Sequence, residues 1–310
     1  MTTAEGHRRV LFAMGVPRSG TTLFDLVMGS HPDGFSLGEL NLFGRADRTI
    51  DRAGRLCGIC EGPCPFWEKR VPAHFGGRWY GSGLVGRFRR RFGPGLYQTL
   101  FAASGSRFLV DSSKPPSWMK ARLADARDWR DAEPRLILIE RDGRAVVNSF
   151  ARKNPDRPIT DHIDRWRRLV DRLEAAYDGF APEHRLRVSY EELCTMPEET
   201  ASRLAAAAGV AYHAGMLAYW RHDHHLIGGN AGTRSLILRH QQADEEGDIP
   251  FEPSNASKAA YYRERGLAIS LDERWRQELS QDHQETFERL AGERNEPYRY
   301  DGAVDTPGSG

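Results

Sequence analysis

The sequence predicts a three-layer α/β fold, a central mostly parallel β-sheet flanked by helices. Short apolar runs alternate with segments of helical period, which implies right-handed crossovers between parallel strands. The runs are short and apolar, as in strands buried beneath helices. They lead into polar clusters of Gly, Ser, Thr, Arg or Lys, and such sheets bind ligands at the carboxyl ends of their strands.

The first run, Arg9–Val16 (RVLFAMGV), ends in glycine and proline and reads as a buried strand feeding a tight turn. Thr21–Ser30 follows, with Leu23, Leu26 and Val27 on one helical face. A second run, Arg107–Val110, precedes DSSKPP, and a third, Arg135–Glu140, precedes RDGR and the periodic segment Ala145–Phe150. A fourth, Arg185–Val188, leads into YEEL and an alanine-rich helix over Glu198–Ala208. Thr160–Phe180 is amphipathic, with Ile163, Trp166, Leu169, Val170, Leu173 and Tyr177 on one stripe, and a further helix runs from about Leu271 to Leu290. Residues 45–106, rich in Gly, Arg and aromatics without a clear period, read as an insertion over the site. They lie within a single domain spanning 1–300, and 301–310 read as a disordered tail.

Composition narrows the class. With 39% hydrophobic and 28% charged residues, the 310-residue chain can bury a sizeable core and is not wholesale disordered. A net charge of +1 gives no pull toward nucleic acid or anionic membrane. No apolar stretch is long enough to span a bilayer, the N-terminus lacks a secretory pattern, and four cysteines make no disulfide framework. These features read as a cytoplasmic protein with no nucleic-acid partner and no membrane span, and they say nothing of its oligomeric state. The only lysines are Lys69, Lys114, Lys120, Lys153 and Lys258, so in this arginine-rich chain a lysine inside a motif stands out.

Gly15-Val16-Pro17-Arg18-Ser19-Gly20-Thr21-Thr22 joins the first strand to the first helix in a G-x-x-x-x-G frame. In such P-loop-like turns, backbone N–H groups and the helix N-terminus cradle an anion. An ATP or GTP enzyme has lysine after the second glycine; here that position is Thr21, and the cation is Arg18, inside the loop. An arginine fork beside Ser19, Thr21 and Thr22 suits a shorter anion than a triphosphate.

The strand, loop and helix resemble the 5′-phosphosulfate loop of the sulfotransferases that use 3′-phosphoadenosine 5′-phosphosulfate, and PRSGTT resembles their tyrosylprotein and bacterial carbohydrate-type branches. The resemblance covers most of Val10 to Arg234 and implies a transfer of the sulfuryl group to an acceptor hydroxyl. It implies that Arg141 and Ser149, eight residues apart in RDGRAVVNS, grip the 3′-phosphate, and that Tyr190 in RVSYEEL lies near the nucleotide. Glu39, at the end of a short strand after His31-Pro32, is implied as the base, in preference to His31. Lys114 is implied as a second cation at the reacting group, and Asn230 and Arg234 in GGNAGTR as residues closing over the nucleotide. No metal is implied in this chemistry. Two other readings stay open: a nucleotide-dependent kinase, which the missing lysine disfavours, and a non-catalytic module that binds anionic glycan.

Cys57-x-x-Cys60-x-x-x-Cys64 has metal-like or redox-like spacing, but three thiolates need a fourth ligand, and neither Cys194 nor His74 is compelling. Free thiols are the expectation, with a disulfide or a structural zinc as alternatives. His222, His224 and His225 read as polar loop residues. Arg87–Phe92 reads as a basic solvated helix face, and Phe66, Trp67, Trp79 and Tyr80 as aromatics that shape an acceptor pocket.

Overall fold

The computed structural model describes residues 7–42, 57–60, 62–71, 95–229, 237 and 267–302. Most of the expected insertion, the basic run 87–92, Trp79, Tyr80, Asn230, Arg234 and nearly all of the expected tail lie outside the described residues.

The amino-terminal half runs β1 (Arg8–Gly15), α1 (Thr21–Gly29), β2 (Gly34–Gly38), α2 (Leu96–Ser104), β3 (Phe108–Asp111) and α3 (Pro116–Leu123). It continues as β4 (Ala132–Glu140), α4 (Gly143–Lys153), α5 (Ile159–Asp178), β5 (Arg185–Ser189), α6 (Tyr190–Thr195) and α7 (Pro197–Ala208). Near the carboxyl end come α8 (Trp275–Glu278) and α9 (Gln281–Asn295). The five strands form one all-parallel sheet in the order β2-β3-β1-β4-β5. The crossover from β1 to β2 runs one way across the sheet and that from β4 to β5 the other. Right-handed connections therefore put α1 and α5 on opposite faces, which makes the three layers.

The apolar runs become the core. Val10 to Met14, Phe108 to Val110 and Leu136 to Ile139 are almost wholly buried, as strands covered on both sides must be. On α5 the expected stripe holds: Ile163, Trp166, Val170, Leu173 and Tyr177 are buried and Leu169 is partly so. On α1 the expected stripe is too narrow. Phe24, Asp25 and Met28 are buried with Leu26 and Val27, because the helix is clamped between the sheet and the turn Ala214–Arg221. No helix among the described residues is long and apolar enough to cross a membrane.

The single helix expected over about Leu271 to Leu290 is instead two helices after a non-helical lead-in. The Asp272 carboxylate accepts the backbone N–H and the guanidinium of Arg274, which holds the chain in a turn there. Ser280 is non-helical, and its hydroxyl accepts from His283 N, capping α9 afresh. The lead-in reaches the functional site.

Candidate functional site

Sheet register brings two pairs of strand ends together. β1 lies beside β4 with Gly15 opposite Ile139, so the loop after Gly15 and the residue after Glu140 emerge side by side. β2 lies beside β3 with Gly38 opposite Asp111, so Glu39 and the segment Ser112–Lys114 also emerge as neighbours.

At the first junction the phosphate-loop backbone is tightly specified. Arg18 is the one non-glycine residue with positive φ, at 83°, among the described residues, and Gly20 follows at 85°. An L-residue held there stores about 1–3 kcal/mol of strain, which persists where surrounding contacts over-determine the turn. Ser19, Thr21 and Thr22 are buried, and Ser19 N donates to Val16 O at 3.0 Å. A Cβ on Gly20 would sit 2.4 Å from Cδ2 of Tyr190, so that glycine is required by the ring as well as by its φ.

Tyr190 begins α6 and lies between the loop and Arg141. The Arg141 guanidinium stands 4.3 Å over its ring, donates through Nη1 to Arg18 O at 2.9 Å, and donates through Nη2 to Asp272 O at 2.9 Å. The Asp272 carboxylate is 3.5 Å from the same Nη2. Burial opposes the charge on Arg141, but Tyr190, Asp272 and Glu191 outweigh it and raise its pKa. Burial likewise opposes charge on Asp272, and Arg274 and Arg141 hold its pKa well below the ordinary carboxylate range. The Tyr190 hydroxyl donates to Ser270 O and accepts from Asp272 N, so the lead-in to α8 is strapped onto this junction.

The rest of RDGR is architectural. Asp142 is fully buried; it caps α4 through Arg144 N and receives the Arg144 guanidinium and Tyr300 N. Gly143 packs against Trp166 too closely for a Cβ and donates its N–H to Asn295 Oδ1. Arg144 therefore ties α4 to the carboxyl end of the chain, and Arg141 alone faces the loop. Ser149 is partly exposed on α4, and its hydroxyl has no partner among the described residues.

The second junction is built for a carboxylate. Gly38 sits at a register shift in the parallel pair, with φ 71°, and a Cβ there would lie 2.3 Å from Ile227 O. The bulge re-aims the next side chain, Glu39, whose N–H donates to Ile227 O at 2.7 Å. Across from it, buried Asp111 accepts from Tyr97 Oη, Trp118 Nε1 and Ser113 N, which shapes the start of the DSSK turn. Ser112 N donates to Gly38 O, and Asn41 N donates to Ser113 Oγ, locking the two turns together. Lys114 Nζ thereby reaches Glu39 Oε1 at 2.5 Å, each side chain 21% exposed. Gly229 N approaches the same oxygen at 3.4 Å. Oε1 is thus committed, and Oε2 has no hydrogen-bond partner among the described residues.

Sequence reasoning missed Asp25 and Ser36. Asp25 lies on α1, one turn beyond the phosphate loop, and accepts from Ser36 Oγ at 2.6 Å. Burial pushes its pKa up to about 7, against hydrogen bonding and the Lys114 charge and with the help of Glu39. Asp25 is therefore coupled electrostatically to the Glu39–Lys114 pair of the second junction. A lone acid on an apolar helix gives no sequence signal of this.

Other expected residues fall as follows. His31 points away from Glu39: its Nε2 bonds Ala211 O at 2.8 Å and its Nδ1 accepts from Asp33 N. The described start of GGNAGTR lies against Glu39 rather than against Arg141. Phe66 and Trp67 do not line an open pocket; they are buried against each other and against His225. A cleft of about 230 Å³ lined by Arg9, Arg135, His184 and Ala206 sits at the opposite end of the sheet and takes no part in this site.

The model of the sulfotransferase family matches residues 66–214. Protein-tyrosine sulfotransferase A of Caenorhabditis elegans is 24% identical over 209 residues, 64% of this chain and 50% of that protein. The chain thus spans about half the length of that relative. The sulfotransferase domain of the curacin biosynthetic pathway superposes with a TM-score of 0.50 at 16% identity, over 83% of this chain and 98% of that domain. This is a likeness of fold. The sulfotransferase domain of the Synechococcus PCC 7002 olefin synthase gives 0.49 at 16% identity, over 94% and 98%.

Proposed function

We propose that the chain, which matches the sulfotransferase family model over residues 66–214, is a sulfotransferase that transfers a sulfuryl group from 3′-phosphoadenosine 5′-phosphosulfate to an acceptor hydroxyl. The observation that carries the reading is the juxtaposition of an arginine-bearing anion loop with a lysine-paired carboxylate at adjacent strand ends.

The donor set fits the nucleotide. Pro17 to Thr22 offer backbone N–H groups, hydroxyls and the Arg18 guanidinium at the N-terminus of α1, which suit a 5′-phosphosulfate. Arg141 is buried beside that loop, and its Nε is a buried donor with no partner among the described residues, which suits an incoming 3′-phosphate. Ser149 adds a hydroxyl, Tyr190 a ring against the loop, and Asn230 with Arg234 complete the set from outside the described residues. The Asp272 carboxylate lies against Arg141 and must yield if a phosphate takes its place.

When bound, the donor supplies an electrophilic sulfur and a phosphate leaving group. Glu39 Oε2 accepts the proton of the acceptor hydroxyl while Oε1 stays held by Lys114 and Gly229 N. Lys114 and Arg18 stabilise negative charge that builds on the reacting oxygens, the term that dominates group transfers of this kind. Burial of Asp25 raises its pKa to about 7, so a second carboxyl carries only part of its charge at neutral pH, which reduces repulsion beside Glu39. A reduced cytoplasm suits the thiols of Cys57, Cys60 and Cys64.

The test is calorimetric titration with 3′-phosphoadenosine 5′-phosphate, beside magnesium–ATP and adenosine 5′-phosphate. Tight binding of the bisphosphate alone is expected; preference for magnesium–ATP, or no nucleotide binding by folded protein, would overturn the reading. The name of the nematode relative makes a peptide tyrosine the first acceptor to assay.

A further inference from the structure

Cys57, Cys60 and Cys64 are brought to a residue 161 positions beyond the last of them. The three sulfurs and Nδ1 of His225 all lie within 4.8 Å of one another. Cys60 Sγ is 3.3 Å and Cys64 Sγ 3.5 Å from that nitrogen. A tetrahedral zinc with Zn–S and Zn–N bonds of about 2.3 and 2.0 Å sets ligand–ligand distances of roughly 3.5–3.8 Å. The donors already surround a space of that size. None of the four cysteines is in a disulfide.

The surroundings are those of a ligand set. Ile59 N and Cys60 N both point at Cys57 Sγ, at 3.4 Å, and Trp67 N points at Cys64 Sγ at 3.4 Å. Such outer donors stabilise thiolates and fix their orientation. Phe66 lies parallel to the His225 ring at 6.0 Å, Trp67 Nε1 donates to His225 O, and Cys57 and Cys64 are buried. His225 is therefore not a polar loop residue, as its sequence context suggests, but the fourth member of the cysteine cluster.

We propose that Cys57, Cys60, Cys64 and His225 bind one structural zinc ion. Three soft thiolates and one imidazole are a zinc set, and four protein ligands leave no open position for catalysis. The ion ties the segment 57–71 to the loop 224–229. From there the structure runs straight to Glu39: Gly58 N donates to Leu226 O, Ile227 N to Leu37 O, and Glu39 N to Ile227 O. The ion is thus a clamp on the backbone that positions Glu39. That last step rests on the sulfuryl-transfer reading; the metal site does not.

The experiment is metal analysis of the full chain purified without added metal or chelator. We expect roughly one zinc per chain, released in step with three thiols on titration with an organomercurial. Replacement by cobalt should give the visible absorption of a tetrahedral thiolate site. His225→Ala and Cys64→Ser should lose the zinc and the cobalt spectrum, whereas His225→Cys, which keeps four ligands, should retain metal and so separates ligand loss from failure to fold. A metal-free wild type that refuses added zinc, an oxidised cysteine pair, bound iron, or full zinc in folded His225→Ala would each overturn the proposal. Because metal content is read without nucleotide, failure of the functional reading leaves this result standing. If both hold, the folded metal-depleted chain should keep its affinity for 3′-phosphoadenosine 5′-phosphate and lose turnover at least tenfold.

Discussion

The two junctions at the carboxyl end of the sheet are built on opposite plans. At β1 and β4 the work falls to backbone: a strained turn, a glycine under a tyrosine ring, and a buried arginine held by carbonyls. At β2 and β3 it falls to two partly exposed side chains, Glu39 and Lys114, aimed by a bulge and a buried aspartate. A rigid cradle of N–H groups suits an anion that must be held still. A partly exposed ion pair suits groups that exchange a proton and change partners during turnover. On the proposed reading, mutation should therefore separate binding from chemistry.

The largest expected effect is at the second junction. Glu39→Gln should lower turnover by on the order of 10²–10⁴-fold with little change in bisphosphate affinity by calorimetry; a parallel loss of both would merge the two junctions. At the cradle, Arg18→Ala should lower turnover by about 100-fold or more, and near-normal turnover would remove Arg18 from the mechanism. Arg141→Ala should weaken the bisphosphate by about 1.5–3 kcal/mol, the worth of a charged hydrogen bond, while Asp272→Asn should tighten it, by up to about fivefold. Weaker binding in Asp272→Asn would mean that the aspartate positions Arg141 rather than competing with its ligand. Gly38→Ala places a Cβ against Ile227 O at positive φ and should cost about 1–3 kcal/mol of stability, read by denaturant unfolding. The smallest effect is a slope. Asp25 is held at about 7 in the fold against an ordinary value near 3.8, so the wild type loses stability as pH rises through that window. Asp25→Asn should remove that loss, its stability relative to wild type rising from about pH 4 to pH 7 and levelling above. A pH-independent difference would mean that the fold does not raise the Asp25 pKa.

Sequence reading placed the loop 15–22, Arg141 and Glu39 at strand ends because each stands within a few residues of an apolar run. It misread Phe66 and Trp67 as pocket walls because an aromatic pair carries no mark of the cysteines and histidine that bury it. It ran α8 and α9 together because the pattern from about Leu271 to Leu290 does not mark the break at which Ser280 caps α9. It read the histidines of 222–225 as loop residues because a metal set was sought among sequence neighbours and nearby carboxylates.

By itself, then, the sequence determined the layers and the strand ends at which its polar clusters lie. These follow from apolar periodicity and short-range turn chemistry, which act over a few residues. The tertiary structure alone decided which strand ends are neighbours, that Asp25 is buried beside Glu39 and Lys114, that Asp272 lies on Arg141, and that His225 meets three cysteines. Those contacts join residues far apart in the chain, 131 positions for Arg141 and Asp272 and 165 for Cys60 and His225. They depend on strand order and register, which arise only when the whole sheet packs at once.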